Sequence, residues 1–157
     1  MNPTIRDARE SDMSYVRACW SRTAYDALKI ACFWSRQARA PLYTLFGPLF
    51  ELVQARLLRT ASVLVAVNPD DDDQVFGCIV FVPSADGPPV LHFVAVKRDF
   101  QKRGIAHSLF VEAGIRADEP TIYSLGAMPR MVRGEHRSNA TFAAPKTWTY
   151  VPYGLMP

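Results

Sequence analysis

Hydrophobic and polar positions change their period several times along the chain, and each change marks an element. Thr4 to Ala8 alternates and predicts a short strand. Ser11 or Asp12 then offers an oxygen to cap a helix from about Met13 to Leu28. From 29 to 47 the content is aromatic and apolar, but Pro41 and the pair Gly47–Pro48 interrupt it, so a broken helical segment is expected. Pro48 sits well at a first helical position, and Leu49, Leu52, Val53, Leu57 and Leu58 behind it fall near one face of a second helix.

Two runs rich in β-branched residues follow, Ala61–Val67 and Gln74–Val82, separated by the turn-forming stretch Asn68-Pro-Asp-Asp-Asp-Asp73. This pattern predicts an antiparallel hairpin. The acid run reads as a solvated turn, because its carboxylates lack an ordered ligand spacing, and no metal site is expected. A second turn cluster, Ser84–Pro89, precedes the apolar run Val90–Val96, a helix over Gln101–Arg116 and a strand over Thr121–Leu125. Beyond Met128 the pattern weakens: Arg130–Asn139 is polar and loop-like, and Thr147–Tyr153 suits a final strand. The order β, α, α, β, β, β, α, β implies an α/β chain of the α+β kind, a mixed sheet covered by helices on both faces.

At 157 residues the chain is expected to form a single domain, 1–157. Its hydrophobic share of 49% and charged share of 21% point to an ordinary globular protein rather than a disordered or fibrous one. The net charge of +3 is small and dispersed, which favours a local anion site over a nucleic-acid footprint. Cys19, Cys32 and Cys78 are odd in number with no Cys-x-x-Cys pair, so neither a disulfide framework nor a zinc knuckle is indicated. The opening residues carry Asp7, Glu10 and Asp12 where a secretory signal needs an apolar run, and no stretch reaches membrane-spanning length; cytoplasm is the expected compartment.

The segment Val96-Lys-Arg-Asp-Phe-Gln-Lys-Arg-Gly-Ile-Ala-His107 carries the most chemistry. An apolar strand ends in a charged loop, and the chain re-enters a helix near Gly104. The first amides of a helix have no internal acceptor and sit at the positive end of its dipole, so an anionic oxygen is stabilised there. Gly104 permits close approach of the backbone, Lys102 and Arg103 add charge, and Ile105, Leu109, Phe110 and Ala113 form the apolar stripe behind.

Gln101-Lys-Arg-Gly-Ile-Ala106 resembles the (Arg/Gln)-x-x-Gly-x-(Gly/Ala) acyl-CoA loop of the GNAT superfamily of N-acetyltransferases. The elements match in order over residues 3–125, the motif over about 90–110, and Leu91–Gly104 resembles the corresponding stretch of the serotonin N-acetyltransferase branch. The resemblance implies a GNAT-like fold whose fourth and fifth strands splay apart, freeing backbone groups near Val94 and Val96 for the pantetheine arm of acetyl-CoA. It implies pyrophosphate contacts from Gln101, Lys102, Arg103, Gly104, Ile105 and Ala106. The helix expected after the fifth strand is not evident, and Ala106 stands where glycine is commoner.

The implied reaction is transfer of an acetyl group from acetyl-CoA to a primary amine, on a small molecule or a protein, by direct attack in a ternary complex. An alkyl amine is protonated at neutral pH, and exposing its lone pair costs roughly 4–5 kcal/mol. His92 is the candidate base, and period-two spacing places it on one strand face with Val94 and Val96; His107 and His136 read as surface groups. The backbone of Val96 is the candidate oxyanion donor. Tyr123, Tyr150 and Tyr153 are candidate donors to the leaving thiolate, Tyr123 first among them. Phe33, Trp34, Tyr43 and Phe46 suggest an aromatic wall for the acceptor. A catalytically silent acyl-CoA sensor is the alternative; a homodimer is compatible with either reading, and neither nucleic acid nor membrane is expected as a partner.

Overall fold

In a computed structural model, the chain is described over residues 2–31, 39–124 and 147–150. The elements run β1 (Thr4–Asp7), α1 (Glu10–Ala31), α2 (Arg39–Leu57), β2 (Ser62–Asn68), β3 (Asp71–Val82), β4 (Val90–Val96), a 3₁₀ turn (Arg98–Phe100), α3 (Ile105–Glu112), β5 (Thr121–Tyr123) and β6 (Trp148–Tyr150). The strands form one sheet in chain order, β1-β2-β3-β4-β5-β6. Pairs from β1 to β4 are antiparallel, while β4–β5 and β5–β6 are parallel. The mixed sheet and the helix order expected from the sequence are both present.

Residues 75–81 of β3 are all buried, so both faces of the sheet centre are covered. On one face α1 lays Trp20 against Phe93, with ring centroids 5.6 Å apart and planes 10° from parallel. Helix α3 covers the other with Ile105, Leu109, Phe110 and Ala113, all buried, as the apolar stripe predicts. Among the described residues no helix is long and apolar enough to cross a membrane.

Helices α1, α2 and α3 each have bounds that differ from expectation, for physical reasons. Helix α1 opens at Glu10 rather than Met13. Asp12 is its third residue and reaches back to accept the Arg9 N–H at 2.7 Å, the carboxylate half of a capping box. The same carboxylate takes the Arg6 guanidinium at 2.7 Å. Burial pushes the Asp12 carboxyl up, but the hydrogen bonds from Arg6 and Arg9 and their charges outweigh it and hold it below the ordinary range.

Helix α2 starts at Arg39 and continues through Pro48 instead of beginning there. An interior proline forfeits one backbone bond and crowds the preceding turn. Packing on both sides of it holds the helix together: Phe46 meets Tyr25 at 5.0 Å and stacks on Phe50 at 5.3 Å, and Phe50 abuts Trp20 at 6.0 Å.

Helix α3 is shorter than the 101–116 expected: left-handed Lys102 and Gly104 delay its start to Ile105, and Gly114 at φ +68° ends it. The Ile115 N–H reaches the Phe110 carbonyl at 2.9 Å and the Gly114 N–H reaches Val111 at 3.1 Å, closing the helix in a Schellman motif. The acid run is exposed, as a solvated turn should be, although β3 already starts at Asp71 and Asp72 holds Arg9 at 2.6 Å. No group of His, Cys, Asp and Glu that could hold a metal ion occurs among the described residues.

Candidate active site

Strand β4 carries the site, and among the described residues its two edges are paired to different extents. On one side it pairs with β3 along its length; on the other, pairing with β5 is confined to Val90 opposite Ile122 and Leu91 opposite Tyr123. The last bond on that side among the described residues is Ser124 N–H to the Leu91 carbonyl, 3.0 Å. From Phe93 to Val96 the edge away from β3 carries no strand among the described residues.

The register explains which groups face that edge. Phe81 pairs with Leu91 but Val80 pairs with Phe93, so His92 is the extra residue of a β-bulge. Before the bulge, the carbonyls of Pro89 and Leu91 point towards β5. After it the parity switches: the Lys97 N–H turns back to the Phe76 carbonyl at 2.8 Å, which leaves the peptide groups of Val96, and by alternation Val94, facing away from β3. The Val96 carbonyl on that side accepts the Gln101 side-chain amide at 3.1 Å. Gln101 thereby ties the loop to the strand end.

The same bulge corrects the expected strand face. His92 and Phe93 both stack on Trp20, the imidazole at 6.4 Å and 21°, so the two consecutive side chains share the α1 face. Alternation resumes at Phe93 and sets Val94 and Val96 on the opposite face from His92. His92 is 2% exposed, and its Nδ1 lies 2.7 Å from the Oγ of Ser124, itself fully buried. Burial pushes the imidazole pKa down to about 4, so the ring is neutral at physiological pH.

Beyond β4 the chain makes one 3₁₀ turn whose Phe100 stacks on Phe76 at 4.1 Å and fixes the loop to β3. Arg103 lies over the Phe100 ring, 5.5 Å from its centroid. Two residues then take left-handed backbone, Lys102 at φ 62° and Gly104 at φ 76°. For a lysine this costs on the order of 1 kcal/mol, a local strain of the kind found at ligand-holding loops. At Gly104 a Cβ would meet nothing within 4 Å, so the glycine answers to backbone conformation and open approach rather than to internal packing. Helix α3 begins immediately: its first bond is Ser108 N–H to the Gly104 carbonyl, 3.0 Å, leaving the amides of Ile105, Ala106 and His107 without an intrahelical acceptor.

The remaining candidates fall in different places. Tyr123 is buried in the paired part of β5, 6.3 Å from Trp148. His107 is exposed. Phe46 packs between α1 and α2, whereas Phe33, Trp34, His136, Tyr153 and Cys32, and the side chains of Tyr43 and Tyr150, lie outside the described residues. Sequence reasoning passed over Trp20 and Ser124. It also passed over a cleft of about 690 Å³ on the α1 side of the strand end, lined by Tyr15, Cys19, Arg22 and Thr23 and by the segment 95–99. Trp20 lies four residues after Val16, a helical core spacing that signals burial but not its partner.

No protein-family model matches the sequence, and no curated protein sequence matches it. Solved structures do. A Pyrococcus furiosus protein named as an acetyl transferase aligns over 88% of this chain and 96% of its own at 15% identity, with a TM-score of 0.51. A Corynebacterium glutamicum protein named "histone acetyltransferase HPA2 and related acetyltransferase" aligns over 73% and 70% at 18% identity, TM-score 0.49. A GNAT family acetyltransferase from Brucella melitensis in complex with acetyl-CoA aligns over 69% of this chain at 24% identity, TM-score 0.37, and the chain spans 64% of that protein. With its element order and its bulged β4, the chain has the fold of the GNAT acyl-CoA N-acyltransferases.

Proposed function

We propose that this chain is an acetyltransferase that passes the acetyl group of acetyl-CoA to a primary amine by direct attack. The observation that carries the reading is the juxtaposition at one strand end. The end of β4, with the peptide groups of Val94 and Val96 turned away from β3, runs directly into a loop with left-handed Lys102 and Gly104 and the uncapped first turn of α3.

Each part has a task suited to its chemistry. The outward peptide groups of Val94 and Val96 match the amides of a pantetheine arm as a neighbouring strand would. The amides of Gly104, Ile105 and Ala106 suit a pyrophosphate, and Lys102 and Arg103 supply charge near it. The Val96 N–H, on the β4 edge turned away from β3, suits negative charge on the thioester oxygen during attack. His92 is too weak a base to take a proton from a free alkylammonium ion. The amine therefore attacks in its minor neutral form, its first proton having gone to water. Once bonded to the carbonyl carbon the nitrogen is far more acidic, and a neutral imidazole suffices to accept the proton it then sheds. The thiolate leaves with a conjugate pKa near ~8.5, so a donor such as Tyr123 would add little.

Titrating the protein with acetyl-CoA and measuring thiol release across a panel of amines tests the reading. Saturable binding and amine-dependent release are expected. Binding without release on any amine would make the chain a silent acyl-CoA sensor, and absence of binding would overturn the phosphate-loop assignment as well.

A further inference from the structure

Ser124, the residue after β5, makes two contacts to β4. Its N–H holds the Leu91 carbonyl at 3.0 Å, on one side of the bulge, and its Oγ meets Nδ1 of the bulged residue His92 at 2.7 Å. Both side chains are buried, Ser124 completely and His92 to 2% exposure. Trp20 stacks on the imidazole face and so fixes the plane of the ring. Stacking alone accepts either of the two χ2 orientations related by a half-turn about Cβ–Cγ, and a directional bond to one nitrogen selects between them.

We infer that Ser124 is a positioning residue for the transfer reaction, holding the His92 imidazole at Nδ1 so that Nε2 is presented for proton transfer. This rests on the reading of His92 as the proton acceptor. A hydroxyl suits the task because it can donate to a bare nitrogen or accept from a protonated one, and so follows the ring through both states. A carboxylate in its place would stabilise the imidazolium and make the base stronger. The neutral hydroxyl orients the ring without doing so, in keeping with a pKa lowered by burial alone.

A double-mutant cycle on the full chain tests it, with turnover of acetyl-CoA and an accepted amine as the readout. Ser124→Ala is expected to lower kcat about tenfold, a fraction of what a general base contributes, with KM for acetyl-CoA unchanged. Ser124→Thr, which keeps the hydroxyl, should recover most of that loss. In the His92→Ala background, Ser124→Ala should have no further effect, since a residue acting through the imidazole has nothing left to act on. A tenfold loss repeated in that background would show that Ser124 serves only the strand junction and would overturn the inference. So would wild-type kcat in Ser124→Ala. If the wild-type protein binds acetyl-CoA but acetylates no amine, the transferase reading itself falls, and the positioning role falls with it.

Discussion

The loop from Lys97 to Gly104 and the buried node of Trp20, His92 and Ser124 meet the same strand from opposite directions. The loop is exposed and local: ten consecutive residues provide its anchor at Phe100, its left-handed turns and the open helix start. Its chemistry lies mostly in backbone amides. The node is dry and non-local, assembled from α1, the β4 bulge and the residue after β5, and its chemistry lies in side chains. A backbone-built site tolerates exposure because a left-handed glycine and a helix end hold their shape without surrounding mass. A weak side-chain base needs burial to stay neutral and contacts on several sides to stay aimed.

If that division holds, the node should dominate stability and the loop should dominate binding. Trp20→Ala is expected to cost about 3–5 kcal/mol, as for other fully buried aromatics, because Phe50, Phe93 and His92 all lose a partner. Urea unfolding measures it, and a loss under about 1 kcal/mol would contradict the central packing role of the node. The next largest effect is on pH dependence. Between pH 6.5 and about 4 the unfolded chain binds a proton at His92 that the folded chain refuses. Stability therefore rises with pH across that window and is lost on acidification, by up to about 3 kcal/mol. His92→Phe should remove this component in a comparison of unfolding at the two ends of the window. Asp12, whose lowered pKa also favours loss of stability in acid, is present in both proteins and cancels. Parallel pH curves would show that the imidazole titrates normally.

The contrast also explains what the sequence disclosed. The loop was legible because its determinants are contiguous: a basic run, a glycine and an apolar helix stripe between Lys102 and Ala113. The six strands and the helix order were legible from periodicity. His92 was visible as a residue, but its face was not, since period-two spacing assumes an unbroken ladder and the bulge adds one residue exactly there in the register of β3 against β4. Ser124 carried no signal, being a serine at a strand end whose meaning comes from a residue 32 positions away. Pro48 misled for a related reason: tertiary contacts of Phe46 and Phe50 override a local stop signal. The end of α3, by contrast, was written in Gly114, which suits the left-handed closing position of a helix.

Two substitutions at Gly104 separate backbone shape from charge in the loop. Gly104→Glu should weaken acetyl-CoA binding about 100-fold or more, since it sets a carboxylate beside the proposed pyrophosphate and strains the turn. Gly104→Asn should weaken it less than about tenfold, because asparagine tolerates left-handed backbone and the added Cβ enters open space. Calorimetric titration of both proteins decides the matter. Equal losses would mean that the conformation alone matters and that no anion sits there.

The smallest expected effect belongs to Arg103. Its guanidinium is already held over the Phe100 ring, so it is pre-placed near the helix start, but it remains in water, where a charge contributes little to a single contact. Arg103→Ala should therefore weaken acetyl-CoA binding only about three- to tenfold, within the range of one exposed ion pair and a lost aromatic contact. Salt should tell this region from the node. Raising ionic strength from about 0.01 M to about 0.15 M shortens the screening length from about 30 Å to about 8 Å, so wild-type binding should weaken more than that of Arg103→Ala. The pH profile set by His92, shielded by Trp20 and the sheet, should not move with salt. If it shifts as much as the affinity does, the node is wetter than its burial implies, and the separation between an exposed binding loop and a dry proton-transfer centre is lost.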